Sequence, residues 1–204
     1  MLPFPKSLIV NFVVRNVKKM VPEFSLPNAR RWNDVLADGM KMNLKQVECS
    51  HGDVAFLQYT GGTTGVSKGA TLTHKNVIAN MLQAEAWYQP ALAKLKPGEQ
   101  MITVTALPLY HIFALTCCAL LSMRTGGKNL LIPNPRDIPA FVKELGKHKF
   151  GVFPAVNTLF NGLLNNEDFK KLDFKSLILS LGGGMAVQKA VAEKWLKITG
   201  TPIC

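Results

Sequence analysis

From Asp53 onward, short and nearly uniform apolar runs alternate with longer stretches whose apolar residues recur at helical spacing. Few architectures accept that alternation. Runs at 54–59, 101–107, 129–132, 150–153 and 177–181 read as strands. Helical patterns occupy 74–88, 112–123, 138–148, 156–164 and 187–198. Thr73 and Asp137 stand where N-caps are expected, and Gly126-Gly127 and Gly200 where helices should stop. Residues 201–204 read as the start of another strand. Strand-then-helix units with near-continuous apolar strands predict an α/β fold: a doubly wound, mainly parallel sheet with helices on both faces. Ligands of such sheets bind beyond the carboxyl ends of the strands. Two glycine-rich segments are expected at such ends, after Tyr59 and after Leu181, with a polar turn at 108–111.

The first fifty residues do not share this pattern. Residues 8–14 fit a strand or a short helix, and Pro22, Pro27 and Asn28 break any regular element after them. Residues 1–50 are read as a basic N-terminal arm or partial subdomain, and 51–204 as the α/β unit. Lys6, Arg15, Lys18, Lys19, Arg30 and Arg31 crowd the arm, and the whole chain carries a formal charge of +11. A positive balance favours anionic partners such as nucleotides, coenzyme phosphates or acidic lipid surfaces, against the alternative of an ordinary solvated face. Hydrophobic residues make up 48% of the chain, which excludes intrinsic disorder. The longest apolar run, 112–123, has 12 residues against the roughly 20 needed to cross a bilayer. Cys49, Cys117, Cys118 and Cys204 form no metal-ligand spacing, so a reduced, cytoplasmic chain is expected, with contact at the inner membrane surface as an option.

Three segments carry chemistry. In the first, Thr60-Gly61-Gly62-Thr63-Thr64-Gly65-Val66-Ser67-Lys68-Gly69, glycines allow close backbone approach, the threonines add hydroxyls and Lys68 adds charge. That composition suits phosphate. An ordinary P-loop fails, because Ser67 precedes the lysine and Gly69 comes after it. The second segment, Leu107-Pro108-Leu109-Tyr110-His111-Ile112-Phe113, places a histidine at a strand end, where it could donate to an acyl oxygen or sit near phosphate. In the third, Gly182-Gly183-Gly184-Met185-Ala186, a strand runs into three glycines where a flat ring could lie on bare backbone.

The first segment resembles the phosphate-binding signature of the acyl-adenylate-forming (AMP-binding) superfamily, with Gly61 in place of its usual Ser and Ser67 in place of its usual Pro. The wording of all three segments is most similar to the long-chain fatty acid–CoA ligase branch. The resemblance implies that Thr60, Gly61, Gly62, Thr63, Thr64, Gly65 and Lys68 hold the triphosphate, with Thr63 reaching magnesium through magnesium-ATP. It implies that Gly183, Gly184 and Met185 pack on adenine, in a loop where Ala186 replaces the usual Pro. It gives His111 a substrate-positioning role and makes Tyr110 and Phe113 walls of the acyl site.

The implied substrates and cofactors are fatty acid, ATP, Mg2+ and CoA: ATP converts the acid to acyl-AMP, and the acyl group passes to CoA. No nucleic acid is expected. The family's acidic magnesium ligand and its adenylation lysine have no counterpart here. The chain therefore reads as an internal piece of a larger enzyme, truncated in its last strand and inactive alone. Alternatives are a non-catalytic nucleotide- or anion-binding module, or another acyl-activating ligase acting on aryl or amino acids.

Overall fold

The computed structural model describes residues 3–60 and 68–204, with Thr60 described by its backbone alone. Residues up to Glu48 form one compact unit and Cys49–Cys204 a second. In the first unit, residues 8–14 resolve as helix: α1 (Lys6–Phe12) runs directly into a wide π turn at Val13–Val17. A second helix, α2 (Trp32–Gly39), comes after the proline-rich stretch. Neither helix buries a residue, and Phe4, Ile9, Phe12, Val17 and Met20 are all exposed.

Among its described residues the second unit forms two sheets. β1 (Val54–Thr60) and β2 (Lys68–Thr73) form an antiparallel pair. The other strands, β3 (Ile102–Thr105), β4 (Lys128–Leu131), β5 (Val152–Ala155) and β6 (Leu179–Gly182), form a parallel sheet in the order β4-β3-β5-β6. A lone parallel bridge, Ser180 to Ile203, starts a further strand beside β6, where 201–204 is expected to be one.

Alternation along the strands shows how this sheet is covered. Successive side chains point to opposite faces, and on β5 Phe153 packs into one apolar cluster while Val152 packs into another. The Phe153 face is covered by α6 (Ile138–Leu145), α7 (Asn157–Leu164) and α8 (Lys189–Thr199), through Phe141, Phe160 and Trp195. The Val152 face meets Tyr88 and Ala91 of α3 (His74–Leu92), together with Leu121. The doubly wound arrangement of the parallel sheet is therefore as the sequence predicts.

Trp195 is the centre of the larger cluster. It is fully buried, 4.7 Å from Phe160 and 5.4 Å from both Phe153 and Phe169 between ring centroids. Its indole N–H donates to Ser180 Oγ on β6 at 2.9 Å, which satisfies the one polar atom that burial would strand.

The caps obey local chemistry. Thr73 Oγ1 accepts from Asn76 N at 3.3 Å while Asn76 Oδ1 accepts from Thr73 N at 3.0 Å, a reciprocal cap at the start of α3. Asp137 caps α6 through Ala140 N. Gly126 and Gly200 end their helices in the left-handed region, with φ of 70° and 73°. The helix after His111 has three contiguous parts: α4 (Ile112–Ala114), a π segment at Leu115–Leu120, and α5 (Leu121–Thr125).

One expectation is corrected. The run at 54–59 belongs to the antiparallel pair rather than to the parallel sheet, so the segment after Tyr59 does not leave the carboxyl end of a parallel strand. Its partner, Lys-Gly-Ala-Thr-Leu-Thr, has small and polar residues and little apolar signal. Nor is β1 a buried strand: Val54, Phe56, Leu57 and Tyr59 are all exposed. Register comes instead from cross-strand pairing. Tyr59 lies opposite Gly69, and a Cβ added to that glycine would sit 3.2 Å from the tyrosine ring.

Candidate functional site

The carboxyl ends of three neighbouring parallel strands converge on one cavity of about 260 Å³. Leu107 and Pro108 come after β3, Val156 after β5, and Gly184 and Met185 after β6; His111 and Phe113 complete the wall. In the strand order, β4 lies outside β3 on one side while β5 and β6 lie on the other, so the chain changes winding direction between β3 and β5. Parallel sheets open a crevice for ligands at such a reversal. Leu107, Pro108 and Val156 sit on both sides of it.

His111 is held by backbone geometry. Its own N–H donates to Pro108 O at 3.0 Å, closing the turn, and its carbonyl accepts from Leu115 N at 2.9 Å. Its side chain caps the helix: Nδ1 accepts from Phe113 N at 3.2 Å. A ring nitrogen that accepts an N–H carries no proton, so in the neutral imidazole the proton is on Nε2. His111 thus presents an N–H donor, the form suited to a carboxylate or acyl oxygen.

The triple-glycine segment is shaped by close approach. Gly184 has φ of 77°, a left-handed conformation that a side chain would strain. A Cβ on Gly183 would come within 2.5 Å of Phe113 Cζ. The flat ring resting on the bare backbone of Gly183 is therefore the chain's own Phe113, in the place where the sequence reading puts adenine.

Four expected site residues, His111, Phe113, Gly184 and Met185, line the cavity together, and Gly183 supports it through Phe113. Tyr110 is not among the lining residues and is 85% exposed. Lys68 opens β2, where it pairs in register with Thr60. Gly61, Gly62, Thr63, Thr64 and Gly65, with the Thr60 side chain, lie outside the described residues. Among the described residues no group of three His, Cys, Asp or Glu could hold a metal ion. Leu107 and Val156 escaped the sequence reading as site residues; their signal was that each lies just beyond a strand end.

Burial pushes the Cys118 thiol up to about 12 and raises the Tyr88 phenol, but neither residue lines the cavity. A larger groove of about 780 Å³ passes between α3 and the chain beside β6, near Trp87, Lys94 and Leu179. It offers no carboxylate or imidazole side chain and none of the expected site residues.

A parallel α/β sheet with a small cavity at its winding reversal, walled by a histidine-capped helix and a glycine turn, defines the class of open α/β ligand-binding domains. The chain belongs to the AMP-binding enzyme family, which it matches over residues 8–204. It is 56% identical over 195 residues to the long-chain-fatty-acid–CoA ligase of Escherichia coli O6:H1, covering 96% of this chain and 34% of the relative. The enzyme of the same name from Haemophilus influenzae is 51% identical over 202 residues, covering 99% of this chain and 36% of the relative. The chain thus spans about a third of the length of the curated relatives it matches.

Solved structures agree on the fold. The anthranilate CoA ligase AuaEII in complex with anthranoyl-AMP superposes with a TM-score of 0.69 at 20% identity, covering 95% of this chain and 38% of that one. The inhibitor-bound N-terminal domain of FACL13 from Mycobacterium tuberculosis gives 0.66 at 22% identity, over 83% of this chain and 41% of that one.

Proposed function

We propose that these residues form the nucleotide- and acyl-binding part of an ATP-dependent, AMP-forming long-chain fatty acid–CoA ligase. The observation that carries the reading is the cavity in which His111, Phe113, Gly184 and Met185 meet beyond β3, β5 and β6. The 56% identity to long-chain ligases favours a fatty acid over an aryl or amino acid. In the first half-reaction a carboxylate oxygen attacks the α-phosphorus of ATP and pyrophosphate leaves. In the second, the CoA thiol displaces AMP from the acyl carbon and releases a proton.

The residues contribute positioning and charge, which dominate phosphoryl-type catalysis. The Nε2 proton of His111 donates to the substrate carboxylate and holds it for attack. Gly184 and Met185 form the purine wall, with Gly183 seating Phe113 beside them, and the residues from Thr60 to Gly65 with Lys68 hold the triphosphate. Phe113 faces the acyl group; Tyr110, as placed, takes part only if the turn at 108–111 rearranges. Calorimetry with ATP, beside a pyrophosphate-release assay with palmitate, tests the reading. Weak ATP binding without turnover is expected of these 204 residues alone. A chain that gives no heat with ATP would overturn it.

A membrane-facing role is supported by one further observation. Exposed Phe4, Ile9, Phe12, Val17 and Met20 share residues 3–21 with Lys6, Arg15, Lys18 and Lys19, and that stretch holds no acid. Basic residues near an anionic surface contribute about 1 kcal/mol each. No helix among the described residues is long and apolar enough to cross a membrane, so the contact proposed is peripheral. Flotation with anionic vesicles should recover the protein at low salt and lose it at high salt. Equal recovery with neutral vesicles would refute the electrostatic account.

A further inference from the structure

The sheet face that meets the helix after His111 changes character from strand to strand. On β5 and β6 it is apolar, with Val152 and Leu179 in the smaller core cluster. On β3, beside Val152, it carries hydroxyls: Thr103 and Thr105, two residues apart and so on one face, are 2% and 3% exposed. Buried hydroxyls cost stability unless they are bonded, and apolar residues would fill the same space without that cost.

These hydroxyls are bonded to the segments around the site. Thr105 Oγ1 donates to Asn129 Oδ1 on β4 at 2.7 Å. Ser122 Oγ of α5, also buried, lies 3.5 Å from both Asn129 Oδ1 and Thr103 Oγ1. Cys118, fully buried in the π segment, has its thiol beside Thr105. Directional contacts therefore fix the downstream half of the helix to β3 and β4, and a satisfied polar cluster specifies one arrangement where an apolar interface would accept several.

The upstream half ends in the site. Leu115, the first residue of the π segment, donates its N–H to His111 O, and Phe113 N donates to His111 Nδ1. Thr105 is also the last residue of β3, and Leu107 and Pro108 of the cavity wall come after it with only Ala106 between. π turns are rare inside helices and recur at functional sites; this one lies between the polar cluster and the histidine cap. We propose that Thr105 and Asn129 are positioning residues for His111: their hydrogen bond pins the helix to the sheet, so that the imidazole meets the cavity with Nδ1 engaged by Phe113 N and its proton on Nε2. This rests on the ligase reading for what His111 does to a substrate, while the placement of the ring stands on the polar cluster.

The test is imidazole NMR of the 204-residue chain above neutral pH, together with hydrogen exchange at the Phe113 amide. His111→Gln assigns the His111 signals by their loss, and the wild type should show one tautomer, protonated on Nε2. Thr105→Val, close in shape but without the hydroxyl, should mix the two tautomers and speed exchange at Phe113 N about tenfold, the effect of losing about one hydrogen bond. Asn129→Leu should do the same, and Thr105→Ser, which keeps the hydroxyl, should restore both readouts. Ser122→Ala removes only the longer contacts; it should move both readouts less and in the same direction, and it decides the matter where the other two variants do not fold. Thr201→Val deletes a buried hydroxyl that donates to Leu177 O at 2.9 Å, away from this helix, and should leave His111 as in the wild type. The proposal fails if a folded Thr105→Val or Asn129→Leu keeps the wild-type tautomer and exchange, if Ser122→Ala as the sole folded variant does so, or if Thr201→Val disturbs His111 equally. A chain that gives no heat with ATP, yet whose His111 responds in this way, would remove the ligase reading and keep the positioning.

Discussion

The two sheets of the Cys49–Cys204 unit make opposite use of similar residues. In β5, Val152, Phe153 and Ala155 have no exposed surface at all. In β1, Val54, Leu57 and Tyr59 are each more than half exposed. Both strands read as apolar, yet one is covered by helices on two faces and the other is one half of an isolated antiparallel pair. Apolar composition decides that a segment extends; whether it is buried depends on what the topology stacks against it. A two-stranded pair without such cover contributes little stability of its own, so the two sheets should differ sharply in their tolerance of change.

The largest effect expected is at Trp195. Trp195→Ala removes an indole packed against three aromatic rings and leaves Ser180 Oγ without its donor, at a cost of about 3–5 kcal/mol. Tyr59→Ala, which strips an aromatic ring from β1, should cost about 1 kcal/mol or less. Urea titrations of the two variants test the contrast directly, and equal costs would break it.

A smaller effect is expected where the parallel sheet ends. Gly183→Ala forces Phe113 from its place, and overpacking of this kind costs about 1–3 kcal/mol. Adding Phe113→Leu should return part of that cost, because the two substitutions share one contact. Strict additivity in the double variant would show that the ring does not rest on Gly183.

The legible parts of the fold were those set by neighbours in sequence. Thr73, Asp137, Gly126 and Gly200 cap where local chemistry requires, since a cap needs only the next few backbone groups. The parallel sheet was legible because its strands are buried on both sides and read as continuous apolar runs; their bounds still shifted by a residue or more, as in 150–153 against Val152–Ala155. β2 went unseen because Lys68–Thr73 pairs through its backbone and offers little apolar patterning. At the site, the sequence pointed to His111, Phe113, Gly184 and Met185, and it missed that Phe113 would occupy Gly183. That contact joins two distant segments, and no local pattern encodes it.

The π segment at Leu115–Leu120 begins directly after α4, which contains Phe113 and is capped by His111. Such a segment carries one residue beyond what an α-helix would use over the same rise. Each added residue turns the preceding part of a helix by about 100° about its axis. The aim of the imidazole and of the phenyl ring is thus set partly by residue number downstream, and deleting one residue there would re-point both while leaving each in place in the sequence.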